Sequence, residues 1–242
     1  MSEERWLLVS DVDDTLTGDD HALRELAGAL LTHRERVTVA LNSSRPWASV
    51  ERTLRDVFPL NFPIAASITA MGTQVRIDGQ ASDAWDEQFG DWPRDRIVEV
   101  VQRLGHEPHD DEYQTPRKAS FAVPKQGQQA VRDALAEAGL PVRAIASGVD
   151  DFDILPAGAG KDHATRFVHA QLQERLRCAL NLVVSGDSAN DLAMFRAAPR
   201  AIAVGNARPE LVDAMPADMS YHAAGRHAAG VLEGLRHFGA IA

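Results

Sequence analysis

The chain has 242 residues, 45% hydrophobic and 25% charged, enough for one large or two modest domains with a sizeable buried core. Its formal charge of −10, from 25 basic against 35 acidic side chains, argues against nucleic acid and anionic membranes as partners, so an anionic ligand has to be met by local cations or a metal. The acidic start Met1-Ser2-Glu3-Glu4-Arg5 and the single cysteine, Cys178, predict no signal peptide, no membrane span, a cytoplasmic location, no internal disulfide and no thiolate zinc cluster.

In chain order, Trp6 to Ser10 reads as a buried strand that empties into Asp11-Val12-Asp13-Asp14-Thr15. In extended backbone, residues i and i+2 share a face, so Asp11 and Asp13 are expected to project together from the strand's carboxyl edge. Two anions held that close are best reconciled by a divalent cation, and all-oxygen ligands favour Mg²⁺ over zinc. A calcium loop is excluded, because its oxygen ligand, Gly and Glu would fall on Thr15, Leu16 and Ala22. Leu23, Leu26, Ala27, Leu30 and Leu31 make a helical stripe, and Val37 to Leu41 is the next strand. It delivers Asn42-Ser43-Ser44-Arg45 ahead of a helix opened by Pro46 and carrying Val50, Leu54 and Val57. A hydroxyl and free amides there could hold phosphate oxygens or simply cap the helix. Pro63 to Ile68 continues the sheet.

From about Gly79 to Gly158 the pattern changes. Helices are expected from Pro93 to Gly105 and from Gln128 to Gly139, with strands at Lys118 to Val123, Val142 to Ser147 and Phe152 to Leu155. That is an inserted α+β unit at residues 80–158, with Gly79 and Gly158 as candidate hinges. Residues 1–79 and 159–242 would then form one α/β core, a doubly wound and mostly parallel sheet covered by helices on both faces.

The return to the core is Gly158-Ala159-Gly160-Lys161-Asp162, at the start of a helix with Phe167, Val168, Leu172 and Leu176 on one side. A P-loop needs Gly where Leu155 stands and Ser or Thr where Asp162 stands; a dinucleotide fingerprint fails at His163. What remains is one Lys fixed by a turn, able to neutralise a phosphate or a nearby carboxylate. The strand Leu182 to Ser185 then runs into Gly186-Asp187-Ser188-Ala189-Asn190-Asp191, and Ala201 to Val204 is the last expected strand. Asp187 is a natural further metal ligand, and Asp191 could support the metal's water shell or fix Lys161.

In this order and spacing the four segments resemble the haloacid dehalogenase (HAD) superfamily of phosphohydrolases, with the insert resembling its C2-type cap. Ile68-Thr69-Ala70-Met71-Gly72-Thr73, Lys118-Ala119-Ser120-Phe121, and Phe152-Asp153-Ile154-Leu155-Pro156 through Lys161 are similar to the sucrose-phosphate phosphatase branch. The endings Val204-Gly205-Asn206-Ala207-Arg208 and Gly230 to Gly239 are also similar to mannosylfructose-phosphate phosphatases within that branch. The resemblance implies an aspartyl-phosphate on Asp11, Asp13 as acid and then base, and Mg²⁺ at Asp11, Asp13 and Asp187 with Asp191 in support. It further implies phosphate held by Ser43, Ser44, Lys161 and Asn190, with Gln74, Lys118, Ser120 and Arg45 as candidate sugar contacts. The implied partner is a small-molecule sugar phosphate, foremost sucrose 6-phosphate, with mannosylfructose phosphate, glucosylglycerol-type phosphates or a broad sugar-phosphate range as alternatives. Association with a sugar-phosphate synthase is a further implication. A silent, regulatory relative would be expected to have lost its nucleophile, whereas Asp11, Asp13, Lys161, Asp187 and Asp191 are all present. Asp14, Ser44 and Ala189 stand where the pattern favours Gly, or Gly or Asn, and leave the local loop geometry open.

Overall fold

The computed structural model describes residues 4–147 and 149–242. The chain opens with β1 (Arg5–Ser10), α1 (Asp20–Thr32), β2 (Val37–Asn42), α2 (Trp47–Asp56) and β3 (Ala66–Thr69), then β4 (Gln74–Ile77), β5 (Gln80–Ala81) and α3 (Asp83–Asp86). A second group holds α4 (Arg94–Arg103), β6 (Ala119–Ala122), α5 (Gln128–Glu137), β7 (Val142–Ser147) and β8 (Asp151–Pro156). The chain closes with α6 (Lys161–Leu176), β9 (Leu180–Gly186), α7 (Leu192–Ala197), β10 (Ala201–Ala203), α8 (Pro209–Val212), β11 (Ser220–His222) and α9 (His227–His237).

The large sheet runs β11-β10-β9-β1-β2-β3-β4-β5, parallel from β11 to β3 and antiparallel at β4 and β5. β1 sits centrally because it is apolar on both sides: Trp6 and Leu8 pack toward α1 and α9, Leu7 and Val9 toward α6 and α7. Leaving β1 the chain builds one wing, and returning at β9 it builds the other. The switch point between β1 and β9 is where open sheets of this kind place ligands, at the strands' carboxyl ends.

The smaller sheet is antiparallel, β6-β8-β7. Strict alternation in β8 explains its two faces. Phe152 and Ile154 join Phe121, Ile97, Val101, Val131 and Leu135 in a separate core under α4 and α5, while Asp151 and Asp153 fall on the other side. Leu155 shares that second side and meets Met71 and Ala159, forming the apolar joint between the two units.

The expected passage out of the core at Gly79 is not where the chain leaves it. Asp78 and Gly79 have φ of 48° and 76°, the left-handed pair of a two-residue hairpin turn, and they join β4 to β5 within the large sheet. Trp85 is then buried against Phe167, at 4.9 Å between ring centroids, and belongs to the large core. Packing passes to the smaller unit only around Trp92, which lies against the α4–α5 core. Among the described residues no helix is long and apolar enough to cross a membrane.

Candidate active site

Asp11 prolongs β1: its amide donates to Ser185 O at 2.9 Å, so it sits beside the end of β9 with only 5% of its surface exposed. Lys161 is the first residue of α6, after Gly160 at φ 137°. That turn is packed so closely on the β3–β4 connection that a Cβ on Gly72 would lie 2.3 Å from the Gly160 carbonyl carbon. The result is a rigid base for the Lys161 side chain, which is 1% exposed. Its Nζ donates to Asp11 Oδ1 at 2.6 Å, Asp191 Oδ1 at 2.6 Å and Asn190 Oδ1 at 3.0 Å.

Asp191 is held by its other oxygen, which accepts the amides of Asp187 at 3.1 Å and Ser188 at 3.2 Å. Gly186 makes room for it, since a Cβ there would fall 2.4 Å from Asp191 Oδ2. Asp187, also 5% exposed, accepts Thr15 Oγ1 at 3.4 Å. Asp191 Oδ1 is bonded to Lys161, and the same carboxylate lies in the cluster with Asp11 and Asp187.

Oxygens of Asp11, Asp187 and Asp191 all lie within 4.8 Å of one another. Three carboxylates against one ammonium leave two negative charges in a buried pocket. Burial raises the Asp11 pKa well above the usual carboxylate value; Lys161 opposes this, and the charges of Asp191 and Asp187 add to it. Burial, with Asp191 beside it, pushes Asp187 up to about 6. Burial works to lower the Lys161 pKa, but Asp11 and Asp191 outweigh it and hold the ammonium charged. An all-oxygen donor set with a deficit of two charges suits one hard divalent cation such as Mg²⁺.

Asp187 couples folding to pH. Its metal-free folded value, about 6, lies above the ordinary 3.8. Between those values the folded chain holds a proton that the unfolded chain has released, so this group opposes folding above about pH 6 and ceases to as pH falls. A cation on the carboxylates competes with that proton. The rise in Tm on adding excess Mg²⁺ should therefore be largest at neutral pH and shrink as pH is lowered through about 6. A rise unchanged across that range would contradict the assignment.

Asp13 does not join the buried cluster. Its side chain is 50% exposed and accepts Arg45 Nε at 2.8 Å. Arg45 is further held by Ser49 at 3.2 Å and Thr53 at 3.1 Å. Ser43 is buried, and its hydroxyl accepts the Arg45 amide at 3.1 Å in the turn ahead of α2; the cap position itself is Pro46, so the hydroxyl does not cap the helix. Ser44 lends its carbonyl to Lys118 Nζ at 3.2 Å. A cavity of about 340 Å³ lies between the units, walled by Ser44 and Arg45 from the core and by His109, Tyr113, Lys118, Ser120 and Asp153, among others, from the smaller unit. Lys118 also pairs with buried Asp153 at 3.1 Å, and the Ser120 hydroxyl donates to the same carboxylate. Gln74 stands apart from this cavity: its Oε1 accepts the Trp47 amide and the Thr69 hydroxyl, both at 3.0 Å. Of the glycine departures, Asp14 takes the left-handed conformation at φ 57°, whereas Ser44 and Ala189 do not.

Sequence reasoning gave no site role to Asp153, His109 or Tyr113. The Asp-Phe-Asp-Ile-Leu alternation of β8, with one polar face, was the signal available for Asp153.

A doubly wound sheet carrying an aspartate at the tip of its central strand, a helix-start lysine bound to it and two further aspartates from the neighbouring strand's loop defines a HAD-type α/β protein with an inserted α+β unit. A solved HAD subclass IIB sugar phosphatase shares that fold at a TM-score of 0.69 and 15% identity, covering 98% of this chain and 100% of that one. The chain belongs to the sucrose-6F-phosphate phosphohydrolase family, whose model matches residues 4–239. It is similar to a mannosylfructose-phosphate phosphatase of Agrobacterium fabrum, 33% identical over 96% of each protein. It is 30% identical over 98% of its length to sucrose-phosphatase 1 of Nicotiana tabacum, of which it spans 60%. The structure of the Synechocystis sucrose-phosphatase, in complex with sucrose and phosphate, superposes at a TM-score of 0.86 with 28% identity, covering 97% of this chain and 98% of that one.

Proposed function

We propose that this chain is a Mg²⁺-dependent phosphatase that hydrolyses a disaccharide phosphate, foremost sucrose 6-phosphate, through an aspartyl-phosphate on Asp11. The observation that carries this is the bridging of Asp11 and Asp191 by buried Lys161, with Arg45, which pairs with Asp13, lining the cavity between the units. Asp11 attacks phosphorus in line, and its oxygen forms the new bond. Asp13 protonates the departing sugar oxygen and then takes a proton from the hydrolytic water. Lys161, Asn190 and the Ser43–Ser44 loop hold the phosphate oxygens. Mg²⁺, which Asp11, the Asp13 carbonyl and Asp187 would hold with Asp191 in support, would offset the repulsion between the nucleophile and the phosphate.

We assign the smaller unit, from about residue 90 to residue 158, the part of a cap that reads the sugar. Lys118, Ser120 and Asp153 offer a charged donor, a hydroxyl and a carboxylate to a ligand rich in hydroxyls. Arg45 lies on the same cavity, whereas Gln74, bonded to Trp47 and Thr69, does not and is left out of the sugar contacts. A second reading, mannosylfructose phosphate as substrate, is favoured by the Agrobacterium relative, 33% identical over 96% of each protein.

A panel of sucrose 6-phosphate, mannosylfructose phosphate, glucosylglycerol phosphate, fructose 6-phosphate and 4-nitrophenyl phosphate, run with Mg²⁺ and with EDTA, tests the proposal. Activity is expected only with the metal and highest on one disaccharide phosphate; a flat profile would leave a broad-specificity sugar phosphatase. Lys118→Ala should raise KM for that disaccharide about 10-fold or more, the worth of a charged hydrogen bond, and leave 4-nitrophenyl phosphate unchanged. Equal effects on both would count against a cap role for Lys118.

A further inference from the structure

The turn that follows Asp13 is clamped from the far end of the chain. Asp14 lies at φ 57°, in the left-handed region that few residues other than glycine, asparagine and aspartate enter. Its carbonyl accepts two hydrogen bonds, from Asn206 Nδ2 at 2.7 Å and from His227 Nδ1 at 2.9 Å. The two donors are tied to each other, because the His227 amide donates to Asn206 Oδ1 at 2.7 Å. The His227 ring also lies on Gly18, where a Cβ would come within 2.5 Å of its Cε1. Asn206 belongs to the loop after β10, and His227 opens α9 at φ 50°. Two segments far apart in the chain thus converge on one peptide carbonyl, next to the residue assigned proton transfer. Neither Asn206 nor His227 lines the cavity between the units, so their reach into the site is through the backbone.

On its other side Asp13 is met by Arg45. Its carboxyl is therefore aimed by two devices: a side-chain pair from α2's leading turn and a backbone clamp from the opposite wing of the sheet.

We infer that Asn206 and His227 are positioning residues for Asp13, holding the Asp14 turn so that the Asp13 carboxyl meets the leaving oxygen. The inference rests on the reading of Asp13 as acid and base. In the transfer step a bond forms from Asp11 to phosphorus while the bond from phosphorus to the sugar oxygen breaks. The breaking bond's electron pair stays on the sugar oxygen, which takes the proton of Asp13. A sugar alkoxide needs that proton, whereas 4-nitrophenolate leaves without it. Loosening the clamp should therefore damage one substrate and spare the other.

The test compares kcat/KM, which reports phosphoryl transfer to Asp11, for sucrose 6-phosphate (or the panel's best disaccharide phosphate) and 4-nitrophenyl phosphate. Asn206→Ala and His227→Ala should each lose about 10- to 100-fold on the sugar phosphate, within the range a general acid supplies, and stay near wild type on the aryl phosphate. His227→Asn, which keeps a donor and tolerates positive φ, should recover most of the loss. Amide exchange at Leu16 and Thr17, both bonded to the Val12 carbonyl, should quicken in the two Ala variants. Asp13→Asn should lose more on the sugar phosphate than on the aryl phosphate. If it does and the clamp variants do not, or if they lose equally on both substrates, the clamp inference is wrong. If Asp13→Asn shows no selectivity, the acid–base reading falls and the inference with it.

Discussion

Asp11→Asn is expected to reduce phosphate release by about 10⁴-fold or more, the scale set by removing a covalent nucleophile, without unfolding the protein. Asparagine keeps the shape and an oxygen for Lys161, which retains Asp191 at 2.6 Å and Asn190 at 3.0 Å. It also removes one of three crowded negative charges, and the burial that raises the Asp11 pKa shows that this charge is poorly accommodated without a cation. The metal-free variant should thus be at least as stable as wild type, while its Mg²⁺-dependent gain in Tm should be smaller. Phosphate release together with melting curves, with and without Mg²⁺, checks both halves. Activity within about 10-fold of wild type would remove Asp11 from the nucleophile's role.

Lys161→Met should have the larger effect on stability. The ion pairs of buried Asp11 and Asp191, among the described residues, are both made by Lys161. Methionine fills a similar space but leaves the Asp11 and Asp191 carboxylates buried beside Asp187 without the ammonium. Breaking a buried pair from one side costs about 3–5 kcal/mol, which for a chain of this size lowers Tm by on the order of 10 °C. Activity should fall about 10²- to 10³-fold, the range for losing one electrostatic contact to a transferring group. Excess Mg²⁺ should raise the variant's Tm by more than it raises that of wild type, because the cluster then lacks three charges rather than two. A melting temperature equal to wild type's without metal would show that the three carboxylates are not held charged together.

The parts of this site carried by local pattern were readable from residues alone. Asp11 and Asp13 stand at the end of an apolar run whose period places them at a strand tip, and Gly186-Asp187 ends another such run beside it. Lys161 was visible as a lysine at a helix start, but its partner was open between phosphate and carboxylate; β1–β9 pairing puts Asp11 and Asp191 on either side of it. What stayed hidden depends on topology. Asn206 and His227 meet Asp14 across 192 and 213 residues of chain, and no local spacing announces that contact. The elements that escaped notice have physical causes too. β4 and β5 are short and half-polar at the sheet edge, so they carry little periodicity. α9 contains Gly230 and Gly234, which lower helix propensity. Both are there for packing: a Cβ on Gly230 would lie 2.3 Å from the Gly225 carbonyl oxygen, and one on Gly234 2.5 Å from Ile202. The Asp78-Gly79 dipeptide was a hairpin signal in plain view, and reading it as a domain exit shifted the expected start of the smaller unit.

The most direct test of the account is to stop turnover of sucrose 6-phosphate by rapid acid quench and locate any phosphoryl group by peptide mass mapping, with the Asp11→Asn variant in parallel. The account predicts an acid-stable, base-labile acyl phosphate on Asp11 alone, absent from the variant. A phosphoryl group on another residue, or turnover by the variant with no covalent species at all, would contradict it.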